Sequence, residues 1–176
     1  MSDYRLLVTG SREYDDRMAL RTALDRVLDS LREGVTLVVV CGDEDPAYAT
    51  GAERLAGEWA LEVEGEGLSV RLERRPADWE GPCRTDSPDG APGCEPDHRE
   101  WWRDRSLCPA AGSYRNEEVC QSGVHGGLAA LRTGTKSSIA KDCLRRMARH
   151  QIAFELLVQG EAKGLPQDVL GLPRQS

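Results

Sequence analysis

The sequence predicts an α/β fold in which a parallel sheet of about five strands is covered by helices on both faces. Two observations carry this expectation. Short apolar runs alternate with amphipathic segments along most of the chain, and the second run, Val35 to Val40, has no polar alternation, as suits a strand covered on both sides. Strands alternating with helices imply right-handed crossovers and three layers. At 176 residues the chain suffices for one domain with one core.

Arg5 to Thr9 is a compact apolar run that stops at Gly10-Ser11-Arg12, and Asp15 and Asp16 then stand where a helix cap belongs. Leu20, Leu24, Val27, Leu28 and Leu31 recur at three and four residues on one helical face, and Gly34 ends that segment. Val35 to Val40 forms the second strand, closing at Cys41-Gly42. After a polar stretch, Asp43 to Thr50, a second helix carries Ala52, Leu55, Ala56, Trp59, Ala60 and Val63, and Leu68 to Leu72 is a third, weaker strand. From about Trp79 to Gly112 five prolines, four glycines and three cysteines break the pattern, which reads as an inserted loop or small subdomain without regular structure. A helix around Arg115 to Gln121, a strand at Gly127 to Leu131, a helix from about Ser138 to Arg149 and a strand at Ile152 to Val158 complete a Rossmann-like domain over residues 1–159. Residues 160–176 read as a tail.

Hydrophobic residues make up 39% of the chain and charged residues 30%, and no apolar run approaches the ~20 residues of a spanning helix. The stretch Met1 to Arg5 leads into the first run without a basic leader, so a cytoplasmic location is expected. A formal net charge of −7 argues against nonspecific nucleic-acid binding, which draws its affinity from clustered Lys and Arg. In a reducing compartment the six cysteines are expected as thiols or metal ligands rather than disulfides.

Ligands of open parallel sheets bind beyond the carboxyl ends of the strands, where helix amino termini direct positive dipole ends at the crevice. Three loops are candidates. In the first, Gly10 lets a ligand approach the backbone, Ser11 donates a hydrogen bond and Arg12 pairs with phosphate; a simple tight turn is the alternative. The second, Arg132 to Ser138, offers Gly134, Thr135, Lys136 and Ser137 just before a helix, a composition suited to an anion, although Ser137 or Ser138 could merely cap. It lacks Walker A spacing, so ATP-driven chemistry is not expected. In the third, Arg115 and Asn116 could read a ribose or a phosphate, or stand at a solvated helix start.

With these loops in order the chain resembles the SLOG superfamily, in particular its YspA-like branch, common in actinobacteria and their phages. The likeness rests on Leu6 to Arg12, Gly51 to Ala56, Pro76-Ala77-Asp78-Trp79, Ala111 to Asn116 and the Arg132 to Ser138 loop. The resemblance implies a Rossmann-like domain for nucleotides or nucleotide derivatives, used for sensing in some relatives and for cleaving nucleoside monophosphates in the lysine-decarboxylase-like branch. That enzymatic branch carries Pro-Gly-Gly-x-Gly-Thr-x-x-Glu, whereas here Thr133 to Lys141 lacks the Pro, two glycines and the Glu. Lys141 in place of that carboxylate removes the obvious catalyst of N-glycosidic cleavage, so binding without turnover is expected.

The irregular segment carries Cys83, Cys94, His98 and Cys108 within 26 residues, in a C-x10-C-x3-H-x9-C arrangement. Three thiolates and an imidazole suit a closed tetrahedral zinc site, and a metal would order a segment too poor in apolar residues to order itself. Free thiols and a disulfide are the alternatives. Cys41, Cys120 and Cys143 read as buried structural thiols, with Cys41 the one at a nucleophile's address. His125 and His150 read as surface residues, and Trp101-Trp102 as packing on the insertion rather than stacking on a base.

The expected function is sensing or sequestration of a nucleotide-type small molecule, with structural zinc in the insertion and no membrane partner. A hydrolase drawing its acid from Asp43, Glu44, Asp45, Glu53 or Asp78, and an interaction module built on the zinc loop, are the alternatives. A homo-oligomer paired through helices is left open.

Overall fold

A computed structural model describes residues 2–42, 51–83, 99–102, 105–135 and 138–160. The elements in chain order are β1 (Ser2–Gly10), α1 (Arg17–Ser30), β2 (Val35–Cys41), α2 (Ala52–Gly65), β3 (Val70–Arg74), β4 (Glu100–Trp102), β5 (Arg105–Leu107), α3 (Ala111–Gln121), β6 (Gly126–Arg132), α4 (Ser138–Arg149) and β7 (Phe154–Gln159). Five strands form one sheet in the order β3-β2-β1-β6-β7, and every pairing within it is parallel. The direction of chain progression reverses between β1 and β6, which sets a crevice at their carboxyl ends.

Strand periodicity sorts the core into two faces. Leu6, Val8, Leu37, Val39 and Ala130 point to the face covered by α1 and α2, where Leu20, Leu24, Ala56 and Trp59 pack. Leu7, Val38, Val40, Ala129 and Leu131 point to the other face, against Val119, Cys120, Cys143, Leu144 and Met147 of α3 and α4. Asp16 caps α1, its carboxylate accepting from the Ala19 amide at 2.9 Å, as the sequence anticipates.

Three boundaries differ from expectation. The third strand begins at Val70 rather than Leu68, because the Leu68 amide closes α2 on the Val63 carbonyl and its side chain is exposed. The last strand begins at Phe154 rather than Ile152, because the Ile152 amide returns to the Met147 carbonyl after a left-handed Gln151. The insertion is not wholly irregular: β4 and β5 form an antiparallel pair, and α3 starts at Ala111. Gly112 is tolerated inside that helix because a β-carbon there would meet Ile139 and Trp79 at 2.9 and 3.0 Å, so the missing side chain permits close packing. Trp101, expected to pack, is exposed on β4. No helix among the described residues is long and apolar enough to cross a membrane.

Candidate functional site

At the crevice the loops after β1 and β6 are joined by Ser11. Its amide donates to the Ala130 carbonyl at 2.9 Å, and its hydroxyl accepts from the Arg132 amide at 3.0 Å and the Thr135 hydroxyl at 3.3 Å. Ser11 is buried, so it fastens the edge rather than lining it. Its carbonyl accepts from the amides of Tyr14 and Ala52, which draws the amino terminus of α2 onto the end of β1. Arg12 and Gly134 are exposed at this edge, Gly134 with a left-handed φ of 78°. Arg132 is committed to the loop leading into α1, its guanidinium donating to the Glu13 carbonyl at 3.0 Å. Lys136 and Ser137 lie outside the described residues, as do Asp43, Glu44 and Asp45.

One strand over, the end of β2 carries two opposed charges. Glu53, in the first turn of α2, accepts from the Gly42 amide at 3.1 Å and lies 3.5 Å from the Thr9 hydroxyl. Arg115, from α3, lies across Gly42: a β-carbon on that glycine would stand 1.5 Å from Arg115 Nη1. The guanidinium is held from two sides, Nε donating to Asn116 Oδ1 at 3.0 Å and Nη1 to the Arg75 carbonyl at 3.1 Å. Asn116 is buried, and its amide nitrogen donates to the Ile139 carbonyl and to Asp142 at 3.1 and 2.9 Å. Its amide is thus used within the fold, and it bears on the crevice through the orientation it gives Arg115.

On its other side Arg115 borders a cavity of about 230 Å³ between the segment after β3, the foot of the insertion and α3; Asp78, Tyr114 and Glu118 also line it. Cys83 and Cys108 share this cavity and pack in one small cluster with Trp79, Ala111 and Tyr114. Cys94 and His98 lie outside the described residues. Among the described residues no group of three His, Cys, Asp or Glu side chains comes together as a metal site.

Burial, reinforced by the Glu53 charge, pushes the Cys41 thiol far above its ordinary range, so the thiol stays protonated at neutral pH and is no nucleophile. In native protein at pH 8, iodoacetamide is expected to leave Cys41 unmodified while the half-buried Cys83 reacts in metal-free samples. Peptide mass spectrometry reads the result, and equal labelling of the two would contradict the assignment. His125 sits at the opposite edge, its Nδ1 accepting from the Arg5 amide at 2.9 Å and its ring stacked on Tyr4. His150, expected at the surface, is instead drawn into a buried ion cluster, with Nε2 2.7 Å from Glu117 Oε1. Cys120 and Cys143 are buried on α3 and α4.

Sequence reasoning missed the Arg115–Gly42 juxtaposition, which brings together residues 73 positions apart. It named Glu53 only as one acid among several; nothing in the local pattern ties that carboxylate to the Gly42 amide 11 residues away.

The family model described as "YspA, cpYpsA-related SLOG family" matches residues 4–81. The Gene 61 protein of Mycobacterium phage D29 is 42% identical over 77 residues, which cover 43% of this chain and 55% of that protein. The chain thus spans about half the length of this curated relative. No solved structure matches the chain. The family match covers β1 to β3 with α1 and α2, and ends before Arg115 and the β6 loop.

Proposed function

We propose that the protein, whose residues 4–81 match the model of the YspA, cpYpsA-related SLOG family, binds a nucleotide or nucleotide-derived small molecule at the carboxyl edge of its sheet. The observation that carries the reading is Arg115, fixed over Gly42 by hydrogen bonds at Nε and Nη1. A guanidinium oriented before the ligand arrives loses little entropy on pairing with phosphate, and the amino terminus of α2 adds a positive dipole end to the same edge. Arg12 and the Gly134-Thr135 turn flank the crossover, while the cavity beyond Arg115 gives part of the ligand a partly enclosed seat with the Asp78 and Glu118 carboxylates in its wall.

Thermal-shift measurements against nucleotides, dinucleotides, cyclic dinucleotides and ADP-ribose derivatives test this. A true ligand at about 100 times its Kd adds about 2.7 kcal/mol, a rise of roughly 5–10 °C in Tm for a domain of this size. Arg115→Ala is expected to weaken binding about 10- to 100-fold, the worth of a charge-assisted hydrogen bond of ~1.5–3 kcal/mol. No stabilisation of folded protein by any of these compounds would overturn the proposal.

A second reading, hydrolysis of the bound compound, draws on Glu53, the carboxylate held between Gly42 and Thr9. Product analysis separates the two. Recovery of the compound intact after stoichiometric binding excludes hydrolysis, whereas turnover that vanishes in Glu53→Gln with binding retained supports it.

A further inference from the structure

We infer that Cys120 and Cys143 form a redox pair, in which a peroxide-class oxidant converts two buried thiols into a reversible disulfide joining α3 to α4. Cys120 stands in the last turn of α3 and Cys143 near the middle of α4, and both belong to the packed cluster that also holds Val119, Leu144 and Met147. Although 23 positions separate them in the chain, the Cys143 thiol donates to the Cys120 sulfur, so the fold has already brought the two sulfurs together. Polar contacts beside the pair hold the helices at this separation. Asn116, one turn before Cys120, donates to the Ile139 carbonyl at 3.1 Å and to Asp142, the neighbour of Cys143, at 2.9 Å. Glu117 meets Arg146 at 2.6 Å. A bridge here closes on the seam that carries Arg115, since Asn116 also accepts from the Arg115 Nε.

The two thiols are not equivalent. The hydrogen bond from Cys143 holds the Cys120 thiol below its ordinary range, against burial and the Glu117 charge, while the same bond and burial hold Cys143 well above its own. Cys120 is therefore the sulfur that ionises and attacks, and Cys143 the one that resolves. Cys120 is also the less enclosed, 6% exposed against 1%, and the end of a helix opens at low cost. Its thiolate attacks one peroxide oxygen, the O–O bond breaks, and the departing hydroxide takes up the proton that Cys120 released, leaving a sulfenic acid and water. The Cys143 sulfur then attacks the Cys120 sulfur, and the S–O bond breaks. The hydroxide so expelled leaves as water with the Cys143 proton. Two thiols and one peroxide thus give one disulfide, with sulfurs ~2.05 Å apart, and two waters. A dithiol reductant reverses the change by thiol–disulfide exchange.

The test is peptide mapping of the full chain, reduced, exposed to hydrogen peroxide while folded, and then alkylated and digested with trypsin. The expected product joins peptides 116–132 and 142–145, is lighter by two hydrogens than their sum, and is split by dithiothreitol. Free Cys120 should disappear at least about ten-fold faster than Cys41, whose thiol burial keeps protonated. In Cys143→Ser the reaction should stop at a Cys120 sulfenic acid, trapped as its dimedone adduct, and in Cys120→Ser the Cys143 thiol should stay reduced. Should the serine variants fail to fold, the map of the unaltered chain decides. Cys143 still fully alkylated once Cys120 is oxidised, Cys120 joined instead to Cys83 or Cys108, or loss of Cys120 no faster than loss of Cys41 each overturns the pair.

Discussion

Glu117→Ala is expected to lower the unfolding free energy by about 3 kcal/mol, because it removes the buried carboxylate from one side of Arg146 and leaves that arginine with Asp142 on the other. The Glu117 side chain is 3% exposed and the Arg146 side chain 10% exposed, with Nη1 2.6 Å from Oε2. The same carboxylate meets His150 at 2.7 Å and accepts from Gln121 at 2.9 Å, so its lone pairs are used from several sides. Arg146 in turn donates to Asp142 at 2.9 Å, and Asp142 accepts from Asn116, which orients Arg115. A shift in the chemical-denaturation midpoint at unchanged m-value checks the prediction. A loss below about 1 kcal/mol, the range of surface pairs, would show that water reaches the cluster.

The pH dependence follows from the same geometry. Burial raises the Glu117 carboxyl, but the hydrogen bonds from Arg146 and His150 outweigh it and hold the group below its ordinary value. A carboxyl depressed in the folded state contributes stability that is present above its unfolded pKa of about 4.3 and is lost as pH falls through the folded value. This part of the stability should therefore be constant from neutral pH down to about 5 and disappear under stronger acid. Glu117→Gln should lack that component of acid sensitivity, a difference that denaturation at a series of pH values reads directly.

The sheet was legible in the sequence because each strand and helix announces itself locally. Val35 to Val40 needs only its own composition to read as a doubly covered strand, and Asp16 needs only the residues after it to read as a cap. The loops at the crevice were legible as polar, glycine-containing turns after strands, for the same reason. What each side chain does there was not, since it depends on partners brought in by the crossover. Ser11 reads as a donor to a ligand until it is seen buried, its hydroxyl accepting from the amide of Arg132, 121 positions away. Asn116 reads as a ribose or phosphate contact until α4 is seen packed against it. Glu117 and His150 carried no signal, because a charge 33 positions from its partner looks like any solvated charge.

Gly10→Ala and Gly42→Ala, taken as a pair, should have opposite consequences for stability and binding. A β-carbon on Gly10 would stand 2.1 Å from the Ala130 carbonyl oxygen and 2.5 Å from the Ala52 β-carbon. Neither can step aside. The Ala130 carbonyl already accepts from Ser11, and Ala52 is fully buried where α2 meets the sheet. Accommodating the methyl means parting β1 from β6 or lifting α2, and overpacking against backbone of this kind costs about 3 kcal/mol or more. On Gly42 the clash is nominally worse, at 1.5 Å, but all three nearest atoms belong to the guanidinium of Arg115. The far end of that side chain can swing away, so the expected cost is about 1 kcal/mol, the hydrogen bonds of Arg115 to Asn116 and Arg75 weakened in exchange for contacts with water. Urea titration and ligand binding on the two variants separate the roles of the glycines. Gly10→Ala should unfold early. Gly42→Ala should stay near the parent in stability and lose binding as Arg115→Ala does, since it displaces the same guanidinium without removing it. Equal destabilisation by both variants would mean that Arg115 is part of the packed core and not a group poised for a ligand.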